Sequence, residues 1–266
     1  MNKILIIAWR NPSNRKWLPV GKLSNINDKY IFQYTDGAKS AYKEKHFMPF
    51  GKMDDLDITY ESDVLFPIFK NRLLQKSRPE YNDYLSWLNL QADNTSPLDE
   101  LACSGGIRAT DNLQIFPIPE PRNNKYKVTF FSHGIRHLPP SYIERVKHLN
   151  QGNRLYLIRD IQNDQDSFAL ALRTNDPPEI VGYCPSFFVK DFDALIRSNG
   201  ANNVNVSVMR VNIESPVQFR LLCELSTDWP NKFTPFQDEP FNTMQRKFYW
   251  SALKRFQQLY LSFLNH

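Results

Sequence analysis

The chain has 266 residues, 41% hydrophobic and 23% charged, enough to bury the core of one large domain or two ordinary ones. Its 9 glycines argue against a phosphate-cradling nucleotide loop, which needs close backbone approach. The net charge of +5 is spread as +2, +1 and +2 over residues 1–125, 126–225 and 226–266, which disfavours a generic electrostatic DNA binder and leaves room only for a local basic pocket.

The 3 cysteines, Cys103, Cys184 and Cys223, are far apart and fit neither a disulfide framework nor a metal spacing. The apolar run at residues 4–8 is too short for a signal-peptide core, and no later run reaches membrane-spanning length. These features predict a cytoplasmic protein with no membrane contact and no cofactor.

In chain order, residues 4–9, 17–23 and 30–34 predict three strands of a small sheet, with Asp36-Gly37 as a turn after the third. Asp54, Asp55 and Asp57 predict a solvated acidic loop. A short helix is expected over residues 62–74, capped by Ser62 or Asp63 with Pro67 in its first turn. Tyr81, Tyr84, Leu85 and Leu88 share one helical face, a short helix follows at residues 98–102, and residues 113–116 predict a strand. Cys103-Ser104-Gly105-Gly106 superficially suggests a nucleophile turn, but no partner histidine can be nominated, so it is read as a helix end.

The glycine-containing WLPVGKL strand, the YIFQY strand and Phe66, Phe69, Asn71 and Leu73 in an F-x-x-F-x-N-x-L pattern resemble the small N-terminal subdomain of HipA-type toxin kinases over residues 4–118. No H-R-D or D-F-G element occurs, so that family's kinase activity is not carried over. Pro117, Pro119 and Pro121 forbid helix and central strand, and mark a domain junction between residues 1–120 and 126–228.

Beyond the junction, residues 127–131 predict a strand and residues 133–140 a loop. A helix follows from Ser141, with Glu144 completing a capping box. Three strands are expected within residues 152–185, the second alternating Phe168, Leu170 and Leu172 with Ala169 and Ala171. Between the first two lies the polar cluster Gln162-Asn163-Asp164-Gln165-Asp166, a self-hydrogen-bonded turn. A helix at residues 185–198, with Phe188, Phe192, Leu195 and Ile196 inward, and strands at residues 203–211 and 217–225 complete a compact, partly open barrel of about six strands.

Gly134-Ile135-Arg136, the LYLIRD strand, the Asn163 to Ala169 loop and Val181-Gly182-Tyr183 together resemble the HIRAN domain over roughly residues 128–225. The resemblance implies a modified OB or SH3-like barrel in an α+β protein, and DNA as partner, because a member of that family grips the 3′ end of single-stranded DNA. It would set Arg136, His137, Gln162, Asn163, Asp166 and Tyr183 around one pocket. Bases would stack on aromatic rings while amides and arginine engage sugar and phosphate, with Asp166 accepting from a terminal 3′-hydroxyl. Stacking tyrosines of the end-binding member are replaced by His137, Leu138 and Gln165, leaving Tyr142, Tyr183 or Phe219 as substitutes.

Plainer readings stand beside these. Asn163 and Asp166 serve equally well to hold the turn through side-chain-to-backbone bonds, and Tyr183 reads as a core-edge residue with its hydroxyl satisfied. His133 and His137 are four apart, but Gly134 and Pro139-Pro140 argue against the helix that would make them a metal pair. A last helix is expected from residue 241 or 242 to about 264, aromatic on more than one stripe, to dock on the chain or meet a protein partner. The resulting expectation is a non-catalytic protein whose second domain binds single-stranded DNA or DNA ends. Its alternative is an antitoxin-like partner of a HipA-type kinase or helix-turn-helix regulator.

Overall fold

The computed structural model describes residues 3–44, 47–163, 166 and 168–243. The chain divides into two compact units. The first takes residues up to 68, residues 108–114 and the described residues from 237; the second takes residues 69–107 and 115–236.

In the first unit β1 (Ile4–Arg10), β2 (Trp17–Ile26) and β3 (Lys29–Tyr34) are the three expected strands. With β4 (Thr59–Ser62) and β5 (Leu113–Pro117) they make a five-stranded sheet in the order β4-β3-β2-β1-β5. Asp36-Gly37 opens a helix, α1 (Asp36–Lys43), where the sequence predicts a turn. Gly37 is needed there because a Cβ would lie 2.1 Å from the Pro19 carbonyl oxygen. Ser62 ends β4 and caps nothing; the short helix α2 (Pro67–Lys70) starts at Pro67 itself, whose missing N–H costs nothing at a helix start. The Tyr34 hydroxyl, buried in this unit's core, donates to the Met53 carbonyl and accepts from the Phe50 N–H, each at 2.7 Å.

The second unit contains α3 (Tyr81–Trp87) and α4 (Pro97–Ser104) as well as the strands beyond the proline stretch. Tyr81, Tyr84, Leu85 and Leu88 are buried, as their spacing predicts, and cluster with Phe131 and Leu222. Helix α4 is capped by Ser96, whose hydroxyl accepts from the Asp99 N–H, and ends at Gly105 in the left-handed region with φ 73°. The Cys103 to Gly106 stretch is therefore a helix end.

The rest of this unit is a curled antiparallel sheet. Its strands are β6 (Lys125–Phe131), β7 (Arg154–Arg159), β8 (Leu170–Arg173), β9 (Ile180–Tyr183), β10 (Asn205–Val211) and β11 (Leu221–Asp228). They pair in the order β6-β11-β10-β7-β8-β9. The two outermost strands meet: just past β6, His133 exchanges both backbone hydrogen bonds with Tyr183 of β9, each at 2.9 Å. This single antiparallel bridge turns the six-stranded sheet back on itself, and with the helices gives the expected α+β, barrel-like fold. Leu155, Leu170, Leu172, Val181 and Leu225 are buried in this unit, as are Phe192 and Leu195 of α6 (Val189–Asn199).

Three local expectations change. Helix α5 (Pro140–Lys147) begins at Pro140, and Pro139 occupies the cap position without a side-chain bond, so Ser141 sits inside the helix. Glu144, freed from a capping box, pairs with Lys147 at 2.6 Å and lies 3.5 Å from His148. Phe168 precedes β8 and is 65% exposed, while Ala169 to Leu172 are all buried, so this strand is covered on both faces rather than alternating. Residues 217–219 form a 3-10 turn, and β11 starts at Leu221. The expected C-terminal helix lies outside the described residues.

Candidate nucleic-acid interface

The seam that closes the sheet is built on two glycines. Gly182, at φ 129°, backs onto Ser132 and His133 so closely that a Cβ would lie 1.8 Å from Ser132 Oγ and 2.8 Å from the His133 carbonyl oxygen. Ser132 Oγ donates across the seam to the Val181 carbonyl at 3.1 Å. Gly134, at φ 75°, carries the chain over the Tyr183 ring, with its Cβ position 3.1 Å from a ring carbon. Only glycine adopts both conformations without strain. The result is that the turn bearing Arg136 and His137 starts directly above Tyr183.

On that turn, a 3-10 segment over Ile135–His137, Ile135 is buried and the two basic side chains face solvent. Arg136 Nε donates to His137 Nε2 at 2.9 Å, with this histidine nitrogen as the acceptor. Burial pushes His133, half-buried beside the Phe187 ring in the seam, down to about 4.

The polar loop after β7 is organised by Asp160, the last residue of the LYLIRD stretch, to which the sequence reading gave no role. One of its oxygens accepts from the Gln162 N–H at 3.3 Å. The other accepts from the Tyr183 hydroxyl at 2.9 Å and from Asn163 Nδ2 at 3.4 Å. Asn163 Oδ1 in turn accepts from the Asp166 N–H at 3.0 Å, and Asp166 Oδ1 from the Phe168 N–H at 2.9 Å. Desolvation first, then the hydrogen bond to Asp160, raises the Tyr183 phenol above its ordinary value. Three Asx side chains spaced three apart thus staple the loop and tie it to β9. A signal for Asp160 does exist in the sequence: it stands at the first position of that i, i+3, i+6 series.

Asn163, Asp166 and Tyr183 are therefore brought together through Asp160. Arg136 and His137 pair with each other and reach this group through Gly134, which overlies the Tyr183 ring. Gln162 contributes its backbone N–H, while its side chain is exposed. At the end of the loop, Arg159 bonds the Phe168 carbonyl at 3.2 Å, stacks 5.7 Å from the Phe168 ring centroid and pairs with Asp193. Ile161, 80% exposed, and Phe168 are large apolar side chains at the loop's edge. Of the stacking substitutes, Phe219 is spent on packing, 5.2 Å from Phe131, 6.1 Å from Tyr84 and 6.5 Å from Trp87 between ring centroids.

The arrangement is a polar hub with hydrogen-bond acceptors and amides, flanked by an exposed guanidinium and apolar side chains, on the loops of a small barrel. Residues 125–226 match the family model of the HIRAN domain. A match to that family supports a DNA-binding role for the segment. The HipA likeness of residues 4–118 receives no support from the comparisons. No curated protein matches the chain. A solved structure of a protein from Lactobacillus plantarum aligns at 17% identity over 39% of this chain and 96% of its own, with a TM-score of 0.30. Among the described residues no group of three or more His, Cys, Asp or Glu side chains is arranged to hold a metal, and no helix is long and apolar enough to cross a membrane.

Proposed function

We propose that the HIRAN segment binds single-stranded DNA or a DNA end, without catalysing a reaction on it. Arg136, His137, Gln162, Asn163, Asp166 and Tyr183 then line the contact. One observation carries the reading: the Asp160 hub gathers Asn163, Asp166 and Tyr183 beneath the turn that presents Arg136. Arg136 supplies a charge-assisted bond to phosphate, and the loop supplies amides and a carboxylate oxygen to the sugar. A terminal 3′-hydroxyl offers Asp166 a donor that a continuing phosphodiester lacks, which is the basis for preferring an end.

Fluorescence anisotropy with labelled oligonucleotides tests this. Wild-type protein should bind single strands in a salt-dependent way, and Arg136→Ala should weaken binding by about tenfold, the loss of one charge-assisted bond. Asp166→Ala, or a 3′-phosphate on the oligonucleotide, should weaken free-end binding by a similar factor. Absence of binding to single strands, duplexes and tailed duplexes at low salt sinks the proposal. Binding that ignores the 3′ block leaves single-strand binding and removes the end preference.

A further inference from the structure

Strand β7 continues past its last residue, because the Asp160 N–H bonds the Ala169 carbonyl at 3.0 Å. Every second residue then shares one face, which runs Arg154, Tyr156, Ile158, Asp160. The neighbouring strand adds Arg173, directly opposite Tyr156 in register. The two guanidinium carbons stand 5.3 Å (Arg154) and 5.8 Å (Arg173) from the centroid of the same Tyr156 ring.

Several cations around this sheet have an acid. Arg159 pairs with Asp193, Arg145 lies 3.7 Å from Glu179, Lys127 lies 3.6 Å from Glu224 and Lys125 lies 2.6 Å from Asp228. Arg154 and Arg173 have none among the described residues. Arg154 bonds only the Asn202 carbonyl, at 3.2 Å, and the Nε of Arg173 is buried without a hydrogen-bond partner among the described residues. Two like charges gathered on one ring with no counter-charge from the protein form a place for an anion.

We propose that Arg154 and Arg173, held about Tyr156, bind the phosphodiester backbone of the DNA strand whose end or loop occupies the Asp160 hub. The proposal rests on the DNA-binding reading above and extends it along β7. Tyr156 stands four residues from Asp160, about 13 Å at strand rise, on the same face. The lane contacts backbone and carries no base information of its own. It also supplies the affinity that the loop loses by having no stacking tyrosine at residues 137, 138 and 165.

The test compares Arg154→Ala, Arg173→Ala and the charge-keeping Arg154→Lys and Arg173→Lys with wild type. The probe is a fluorescein-labelled oligothymidylate of about 12 nucleotides, within the usual site size of such barrels, with a free or a phosphorylated 3′ end. Each alanine variant should bind about 5–10-fold more weakly, and the slope of log K against log salt should flatten by about 0.7 for each phosphate the protein no longer neutralises. The ratio between free-end and blocked-end affinity should stay as in wild type, and the lysine variants should keep most of the slope. Unchanged affinity and slope in both alanine variants, while wild type binds, overturns the lane and leaves the hub reading intact. A loss of affinity that comes with a lowered melting temperature and an unchanged slope assigns the arginines to the fold and also overturns it. If wild type binds no oligonucleotide, the hub reading fails and the lane fails with it.

Discussion

The seam and the polar loop both lie beside Tyr183, and they are held by opposite means. At the seam, position is set by the absence of atoms: Gly182 lets two backbones approach where a Cβ would collide, and Gly134, at a positive φ, brings the chain against the Tyr183 ring. At the loop, position is set by added side-chain atoms, with Asp160, Asn163 and Asp166 each accepting an N–H from the residues that follow. The seam has nothing to exchange. The loop's bonds are those a ligand also offers, so they can be traded for sugar hydroxyls or phosphate oxygens at little net cost. The contrast is between a rigid wall and a facing wall that adapts.

The strongest way to break this contrast is at the seam. Gly182→Ala puts a methyl group 1.8 Å from Ser132 Oγ and 2.8 Å from a backbone oxygen, at a φ of 129° that alanine disfavours. The His133–Tyr183 bridge should open, costing about 3 kcal/mol or more, the range for combined overpacking and backbone strain. Thermal denaturation should show a drop of several degrees, and a melting temperature equal to wild type would mean that the seam yields like a loop.

A second prediction concerns pH. His133 in the folded protein titrates near 4, below the ordinary value of about 6.5, because burial disfavours its charged form. Its contribution is fully present above pH 6.5. It is lost progressively as pH falls toward 4, where the unfolded chain takes a proton that the folded chain refuses. A tenfold difference in proton affinity between the two states corresponds to about 1.4 kcal/mol. Denaturant titrations of His133→Gln should therefore show a flatter loss of stability than wild type over that window. Parallel curves would mean that the seam leaves His133 hydrated.

How far the sequence revealed this site follows from the same contrast. Motifs made of special residues were legible: Gly134 and Gly182 stand in the motifs that carry the HIRAN resemblance, and the Asn and Asp cluster marks a stapled turn. The alternation of Val206 and Val208 and the helical spacing of Tyr81 to Leu88 located elements correctly. Three things were hidden. Asp36-Gly37 has turn composition, yet the contact with Pro19 that requires glycine is long-range, so a helix start looked like a turn. The cap of α5 was misassigned because Pro139-Pro140 fixes the helix start before Ser141 can cap it. Asp160 and the Arg154–Tyr156–Arg173 group escaped because their partners lie on β8 and β9, and only the strand register reveals which side chains share a face.

The smallest and most discriminating effect belongs to the hub. Asp160→Asn keeps the side chain's shape but replaces a two-oxygen acceptor by one oxygen and an NH2. The Tyr183 hydroxyl and Asn163 Nδ2 share one oxygen of Asp160 and the Gln162 N–H uses the other, so the amide cannot accept all three. One hydrogen bond to a charged acceptor should be lost, worth about 1–2 kcal/mol, and the Tyr183 phenol should titrate closer to its ordinary value because a cause of its elevation is gone. Tyrosine absorbance against pH reads the second effect directly. Asn163→Ala leaves the Tyr183–Asp160 bond in place but removes both the Asn163 Nδ2 bond to Asp160 and the acceptor of the Asp166 N–H, so it should cost about 1 kcal/mol. That variant should loosen the loop without moving β9. If the two variants instead lower stability and alter hydrogen exchange at Tyr183 and His133 alike, loop and seam are one cooperative element, and the distinction between a fixed wall and an adaptable one disappears.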